Sequence, residues 1–191
     1  MIVDANARSS DAMSSLAIQR LAIERKAWRK DHPHGFVARP VNARDGSVNM
    51  LIWECKIPGK AGTLWESGLF PVTMYFTEDY PSKPPKVSLP AGFFHPNVYP
   101  SGKVCLSILN EEKGWKPSIT VKQILTGVQE LLDNPNNADA AQDVAYKLYK
   151  KSKAEYSKRV RIEAARYTET ATGGAGGGGG GTNANDAVVI L

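Results

Sequence analysis

The sequence predicts an α+β domain in which an N-terminal helix, a central helix and C-terminal helices accompany a four-stranded antiparallel sheet. Three observations lead to this prediction. Four short segments in the first half have strand-like composition, apolar residues recur at helical spacing towards both ends, and proline and glycine interrupt both patterns at residues 95–103. A chain of 191 residues is long enough to bury a core.

The first predicted element is a helix from Ser14 or Ser15 to about Lys30. Serine is a favourable N-cap, and an apolar stripe runs along one side of the helix. Proline and glycine in segment 32–35 then oppose its continuation. The stripe consists of Ala17, Leu21 and Trp28.

The strand-like segments follow, with turn sequences between them at Asp45-Gly46 and 58–62. In the second segment Trp53, Cys55 and Ile57 share one face because side chains alternate along a strand. We therefore expect Cys55 to be a buried, inert thiol. The four segments are 36–39, 50–57, 69–76 and 86–89.

After the irregular segment, Thr120 and Gln123 form a capping-box pattern that opens an amphipathic helix. Segment 133–137 breaks this helix. Asp139, with Gln142 three residues later, then predicts the N-cap of another helix, and helical spacing continues to about Tyr167.

The sequence divides into a disordered extension (1–12), a core domain (13–168) and a glycine-rich tail (169–191) that we expect to act as a flexible tether. The apolar end of the tail, Val188 to Leu191, is predicted to be incidental. No run of eighteen apolar residues and no signal peptide are found, which predicts a soluble, intracellular protein.

Cys105 is the candidate reactive residue. Pro96, Pro100 and Gly102 predict a stiff surface loop before it, and the apolar residues from Val104 onwards anchor that loop to the core. A thiol at this junction is both held and reachable. A disulfide with Cys55 is not expected in a reducing compartment, and the spacing of histidine and cysteine predicts no metal site.

Positive charge is concentrated near the ends of the core. Residues 13–39 carry six basic and two acidic side chains and residues 142–167 carry eight and three, whereas 40–141 carry nine and ten. This distribution fits either a solvated helix face or a docking face for an acidic partner. No nucleic-acid-binding motif accompanies the charge, so nucleic acid ranks below both.

Two motifs resemble the ubiquitin-conjugating enzyme family. His95-Pro96-Asn97 is followed eight residues after the asparagine by Cys105, with Trp115 and Pro117 beyond, and residues 80–85 have the family's Tyr-Pro-x-x-Pro-Pro form. The similarity extends over roughly residues 14–167. It implies a modifier carried on Cys105 as a thioester and passed to a lysine. It also implies no metal or organic cofactor, since an activating enzyme's ATP chemistry supplies the thioester.

The resemblance implies three further catalytic residues. Asn97 is expected to donate a hydrogen bond to the oxyanion on the thioester carbonyl, or to brace the loop, or both. Asp139 and Tyr99 are expected to flank the incoming lysine, where desolvation and orientation favour its uncharged form. The simpler interpretations are that Asp139 is only the helix N-cap and that Tyr99 only packs.

Within the family the chain is most similar to SUMO-conjugating enzymes. Nine residues separate Cys105 from Trp115, and segment 110–113 looks like the insertion of those enzymes. The similarity implies SUMO, its activating enzyme, SUMO ligases and lysine-bearing substrates as partners, and a monomer in nucleus and cytoplasm without nucleic-acid or membrane binding. The residues that match a surface for non-covalent SUMO and activating-enzyme binding are Arg25, Lys26, Arg29 and His32.

A basic, hydroxyl-rich patch beside the thiol is expected to bind a hydrophobic-Lys-x-Glu segment. Lys103, Ala140 and Asp143 depart from the pattern, replacing a small hydroxyl residue, a proline and an alanine. We hypothesise that Lys103 strengthens binding of the acidic residue by charge assistance. The predicted substrate-binding residues are Lys86, Ser101, Lys103, Glu112 and Lys113.

Four alternatives remain open from the residues. A cysteine protease would need an imidazole base, and the neighbouring His95 is expected to brace the loop instead. A ubiquitin-conjugating enzyme with altered specificity would share all the chemistry. A non-catalytic module of the same fold is disfavoured because Cys105 is present, and a basic nucleic-acid binder would show strongly salt-dependent affinity.

Overall fold

The computed structural model, which describes the backbone of residues 5–168 and the side chains of 16–168, contains within those limits one four-stranded antiparallel sheet. This confirms the predicted four-stranded antiparallel sheet, and because strands adjacent in sequence are adjacent in space, the sheet is a meander. The strands are β1 (Val37–Asn42), β2 (Val48–Pro58), β3 (Leu69–Tyr75) and β4 (Lys86–Ser88).

The helices flank this sheet at both ends of the chain, and together they confirm the predicted α+β class. A single 3-10 turn, Ser107–Leu109, follows the candidate cysteine. The α-helices of the described residues are α1 (Ala5–Lys30), α2 (Val121–Asp133), α3 (Asp143–Lys151) and α4 (Lys153–Ala165).

Helix α1 begins at Ala5, earlier than the predicted start at Ser14. The sequence from 5 to 14 contains neither glycine nor proline, so nothing in it opposes extension of the helix towards the N-terminus. Part of the predicted extension, residues 5–12, is thus helical backbone, residues 1–4 lie outside the described part, and the division of the chain into extension, core and tail stays a prediction. The predicted tail, 169–191, also lies outside it.

The core lies between the helices and one face of the sheet. Trp53, Cys55 and Ile57 are at most 3% exposed, which confirms the predicted inward face of β2. The predicted apolar face of α2 is buried too, and the capping box between Thr120 and Gln123 is formed. No helix among residues 5–168 is long and apolar enough to cross a membrane.

A partly buried ion pair on α1, between Arg20 and Glu24, contacts the start of α2. Arg20 Nη2 donates to Glu24 Oε1 at 2.7 Å, and Glu24 Oε2 accepts the Val121 N–H at 3.2 Å. The carboxylate thus lies at the N-terminus of α2, where the helix dipole favours negative charge. No local sequence pattern indicates this contact, because the two helices are far apart along the chain.

Helix α3 begins at Asp143, with Gln142 as its N-cap, so the prediction of an N-cap at Asp139 was wrong. The N–H groups of Ala141 and Gln142 instead donate to the Pro96 carbonyl at 2.8 and 3.2 Å. Residues before α3 therefore bind the loop that precedes Cys105. This long-range pairing overrides the local capping pattern.

Candidate active site

The loop before Cys105 is held on both sides. The Cys105 N–H donates to the Asn97 carbonyl at 2.8 Å, and the Val104 N–H donates to the carbonyl of Val87, in strand β4, at 2.9 Å. Val104 is buried, and Leu106 and Ile108 pack against the core. The predicted anchoring of the loop is confirmed.

Cys105 lies where two surface clefts meet. One cleft, of about 310 Å³, runs towards Lys86, Tyr99 and Lys103. The other, of about 290 Å³, runs along α2 past Gly127 and ends at Asn134 and Asn136. The thiol is half-buried, so it is accessible from both clefts.

The surroundings of Cys105 do not activate its thiol. Burial raises the pKa of Cys105, and the negative charge of Asp139 raises it further, while the ammonium groups of Lys113 and Lys103 lower it. The thiolate fraction at neutral pH is therefore small. Such a group suits exchange with an already activated thioester better than attack on an amide.

Cys55 has the opposite character. It is 3% exposed between β1 and β3, and burial raises its pKa to about 12. The prediction that Cys55 is buried is confirmed, and a thiol with this pKa is inert at neutral pH. Of the two cysteines, Cys105 alone combines access with partial ionisation.

Asn97 is fully buried and joins the loop to segment 136–139. Its Nδ2 donates to the carbonyls of Asn136 and Asp139, both at 2.8 Å, and its Oδ1 accepts the Asn136 N–H at 2.8 Å. Both amide hydrogens are thus engaged by backbone. The bracing role is what this geometry displays, and an oxyanion role, which stays a prediction, requires one of these bonds to be exchanged.

His95 is a structural residue. Its ring is fully buried, Nδ1 accepts the Asn97 N–H at 3.0 Å, and Nε2 faces the Leu132 carbonyl at 3.3 Å. Burial lowers the pKa of His95 to about 4, so the ring is neutral at pH 7. The predicted loop-bracing role is confirmed, and both nitrogens are occupied away from solvent.

The buried His95 predicts a loss of stability in mild acid. An unfolded histidine binds a proton near pH 6.5, whereas the folded one does not until about pH 4, so protons favour the unfolded chain between these values. We expect the free energy of unfolding to fall by about 2 kcal/mol between pH 7 and pH 5, measured by urea titration.

The matched comparison is His95→Gln, which removes this titration, with His34→Gln at an exposed position as control. His95→Gln should lower stability at pH 7 but flatten the dependence on pH, whereas His34→Gln should leave the wild-type slope. An equal slope in His95→Gln and wild type would contradict the assignment.

The Asp139 carboxylate accepts two side-chain hydrogen bonds, one on each oxygen. Its Oδ1 accepts from Lys113 Nζ at 2.8 Å, and its Oδ2 accepts from Asn136 Nδ2 at 3.0 Å. The side chain is 21% exposed, and its hydrogen-bond partner Asn136 lines the same cleft as Cys105. The structure therefore brings Asp139, Lys113 and Cys105 together.

Tyr99, Lys86 and Lys103 line the same cleft as Cys105. Tyr99 is 41% exposed, so it does not belong to the core, and Lys103 Nζ lies 5.9 Å from its ring centroid. The distance is suitable for a cation–π contact. This cleft therefore combines an aromatic surface with two cations.

Three predicted substrate-binding residues lie outside the residues that line this cleft: Lys113, which pairs with Asp139, and the exposed Ser101 and Glu112. Ser101 is exposed and its hydroxyl accepts only a long contact, 3.5 Å, from the Lys103 N–H. Glu112 is exposed and uses its backbone N–H on Asn110 Oδ1 at 2.8 Å, while Glu111 lines the cleft instead. Their roles stay predictions.

Asn136 is a site residue that the sequence did not reveal. It donates to the Asp139 carboxylate and exchanges backbone hydrogen bonds with the side chain of Asn97. Its only sequence signal was its place in the polar segment 133–137, where asparagine is also a common turn residue. Its function became visible only through contacts with residues distant in sequence.

A separate cleft lies between α1 and β2. Arg25, Lys26 and Arg29 line it together with Met50, and its volume is about 370 Å³. His32, two residues after the end of α1, stacks on Trp28 with ring centroids 5.3 Å apart. The structure thus brings the three predicted cations to one surface, and their partner is untested.

Among the side chains that the structure describes, no group of three or more His, Cys, Asp or Glu residues is arranged to hold a metal ion. Cys105, the half-buried candidate nucleophile, is accompanied instead by a carboxylate, two ammonium groups and a backbone loop. These groups can support acyl exchange on sulfur.

Comparison with known proteins agrees with this arrangement. The family model for ubiquitin-conjugating enzymes matches residues 20–164, and the chain therefore belongs to the ubiquitin-conjugating enzyme family. A SUMO-conjugating enzyme of Arabidopsis thaliana is 64% identical, covering 81% of this chain and 96% of its own. SUMO-conjugating enzymes of Dictyostelium discoideum and Caenorhabditis elegans are each 56% identical over 81% of this chain, and 98% and 93% of theirs.

Proposed function

We propose that this chain is a SUMO-conjugating enzyme. It accepts SUMO from an activating enzyme as a thioester on Cys105 and transfers it to lysines of substrate proteins, forming isopeptide bonds. The observation that carries this proposal is the half-buried Cys105 thiol at the junction of two clefts, in a chain whose other cysteine is sealed in the core. The names of the similar proteins support the choice of modifier.

The reaction has two acyl transfers. In the first, the Cys105 thiolate attacks the thioester carbonyl of the loaded activating enzyme, and that enzyme's thiolate leaves. In the second, a neutral lysine amine attacks the thioester carbon on Cys105, the carbon–sulfur bond breaks, and Cys105 leaves as thiolate. The proton lost by the amine goes to solvent or to a nearby carboxylate, for which Asp139 is the candidate.

The two clefts offer one surface to each reactant. The cleft that runs along α2 is suited to the extended C-terminal segment of the modifier, since this cleft leads directly to the Cys105 sulfur. The other cleft presents Lys86 and Lys103 beside Tyr99, which suits a substrate segment that carries an acidic residue near its lysine. Because Glu111 also lines this cleft, its negative charge would disfavour a second acidic residue of the substrate there.

The modifier-binding surface away from the reacting atoms is proposed to be the cleft of Arg25, Lys26 and Arg29, with His32 beside it. Its cations would attract an acidic modifier or activating enzyme and increase the rate of encounter. SUMO ligases are further expected partners, and the enzyme is proposed to act as a monomer in nucleus and cytoplasm.

The test is a charging reaction with SUMO, its activating enzyme and ATP, beside one with ubiquitin and the ubiquitin-activating enzyme. We expect a SUMO adduct that reducing agent removes. It should be absent in Cys105→Ala and present in Cys55→Ala, the matched control. A thiol-labile ubiquitin adduct alone would overturn the choice of modifier, and no adduct with either would overturn the enzymatic function.

A further inference from the structure

The carboxylate beside the candidate nucleophile is already occupied. Lys113 Nζ donates to Asp139 Oδ1 at 2.8 Å, and Asn136 Nδ2 donates to the other carboxylate oxygen at 3.0 Å. Asp139 is mostly buried, with 21% of its side chain exposed, whereas Lys113 is 56% exposed. The carboxylate end of the ion pair is therefore largely shielded from solvent, whereas the ammonium end is exposed.

This ion pair adjoins the cleft of Cys105, because Asn136, which donates to the Asp139 carboxylate at 3.0 Å, lines that cleft together with Cys105. The charge of Asp139 raises the pKa of the Cys105 thiol and the charge of Lys113 lowers it, so both groups are electrostatically coupled to the reacting atom. An acceptor lysine reaches the thioester mainly as an ammonium ion, because its pKa is near 10.4. Asp139 is the carboxylate that such a cation meets there.

Lys113 can hold this position without reacting. Its hydrogen bond to Asp139 and the carboxylate's charge raise the pKa of Lys113, which keeps the group protonated. An ammonium nitrogen has no free electron pair with which to attack a thioester. The Lys113 ammonium group therefore resembles that of an acceptor lysine, but it does not itself accept the modifier.

We propose that Lys113 is an internal competitor that occupies the acceptor ammonium's place on Asp139, so that each acceptor lysine must displace it. The proposal rests on the proposed function only in requiring a thioester on Cys105. Because exposed ion pairs are weak, displacement is easy, and removal of Lys113 should improve acceptor use by roughly two- to fivefold.

The experiment measures discharge of a preformed thioester by free L-lysine after ATP is removed. Free lysine is used because it lacks the flanking residues that a substrate cleft would bind. Lys113→Met keeps most of the length of the side chain but removes the charge. We expect its second-order rate constant to exceed wild type by roughly two- to fivefold at low salt and by less at high salt. Lys113→Arg, which keeps the ion pair, should discharge at nearly the wild-type rate.

The matched control is Lys122→Met, which removes the lysine of another exposed ion pair, that with Asp31 at 2.9 Å. It should discharge at the wild-type rate. The increase in Lys113→Met cannot come from a better leaving group, since loss of the Lys113 charge raises the pKa of Cys105 and slows departure of the thiolate.

A rate for Lys113→Met equal to or below wild type would overturn the proposal and would instead support a direct substrate contact by Lys113. Lys113→Gln provides a second variant with the same expectation. Because the assay begins from a loaded enzyme and accepts whichever modifier loads, its outcome is separate from that of the charging reaction. Absence of any wild-type thioester would refute the function itself.

Discussion

Replacement of Asn97 by alanine is expected to lower the free energy of unfolding by about 2–4 kcal/mol and to slow transfer to lysine at the same time. The buried amide makes three hydrogen bonds at 2.8 Å to segment 136–139, and alanine leaves their backbone partners without them. Asp139 would then lose its fixed position near Cys105. Urea unfolding and single-turnover lysine discharge measure the two effects.

The comparison variant is Asn49→Ala, because Asn49 Oδ1 accepts one hydrogen bond, from the Leu51 N–H at 3.0 Å, at a half-buried position in β2. Asn49→Ala should lower the free energy of unfolding by about 1 kcal/mol and leave the rate of lysine discharge unchanged. If Asn97→Ala kept wild-type stability while discharge fell by a factor of about 10²–10³, the amide would act directly on the oxyanion. Bracing would then be a secondary role.

The coupling between the two segments has a broader consequence for the site. His95 binds the end of α2, Asn97 binds segment 136–139, and the Pro96 carbonyl accepts from the residues that precede α3. Residues 95–97 thus hold the loop before Cys105 against the end of α2 and against segment 136–142. The nucleophile then follows on a chain already fixed by backbone hydrogen bonds, so its position depends on the whole assembly.

Local patterns predicted the parts of the molecule that local physics controls. The alternation in β2 placed Cys55 in the core, and the capping box at Thr120 marked the start of α2, because both depend on neighbours within a few residues. Proline and glycine around Cys105 predicted an irregular, anchored loop for the same reason.

Contacts between distant segments could not be predicted in this way. Asp139 carries the local pattern of an N-cap, but its carboxylate is engaged by Lys113, 26 residues earlier in the chain, and α3 starts at Asp143. The pairing of Glu24 with the N-terminus of α2 is a similar case. In both, a charged side chain that looks solvated in the sequence gains a partner only when the tertiary fold forms.

Gly102→Ala is expected to destabilise the protein by at least about 3 kcal/mol, as measured by urea unfolding. Gly102 has φ of +91°, and a Cβ there would lie 2.1 Å from the Leu89 carbonyl oxygen. That oxygen belongs to backbone next to β4, and the Leu89 N–H donates to the Gly102 carbonyl at 2.9 Å. Relief of the clash would therefore separate the loop from the sheet.

The control is Gly46→Ala, since Gly46 has φ of +83° but nothing lies within 4 Å of an added Cβ. Gly46→Ala should lower the free energy of unfolding by about 1 kcal/mol, the cost of conformational strain alone. The excess cost in Gly102→Ala measures the close packing of the loop against the end of β4, and discharge should fall with it because Tyr99 and Lys103 flank this turn. Equal losses in the two variants would show that the loop can move away from Leu89 without affecting the rest of the site.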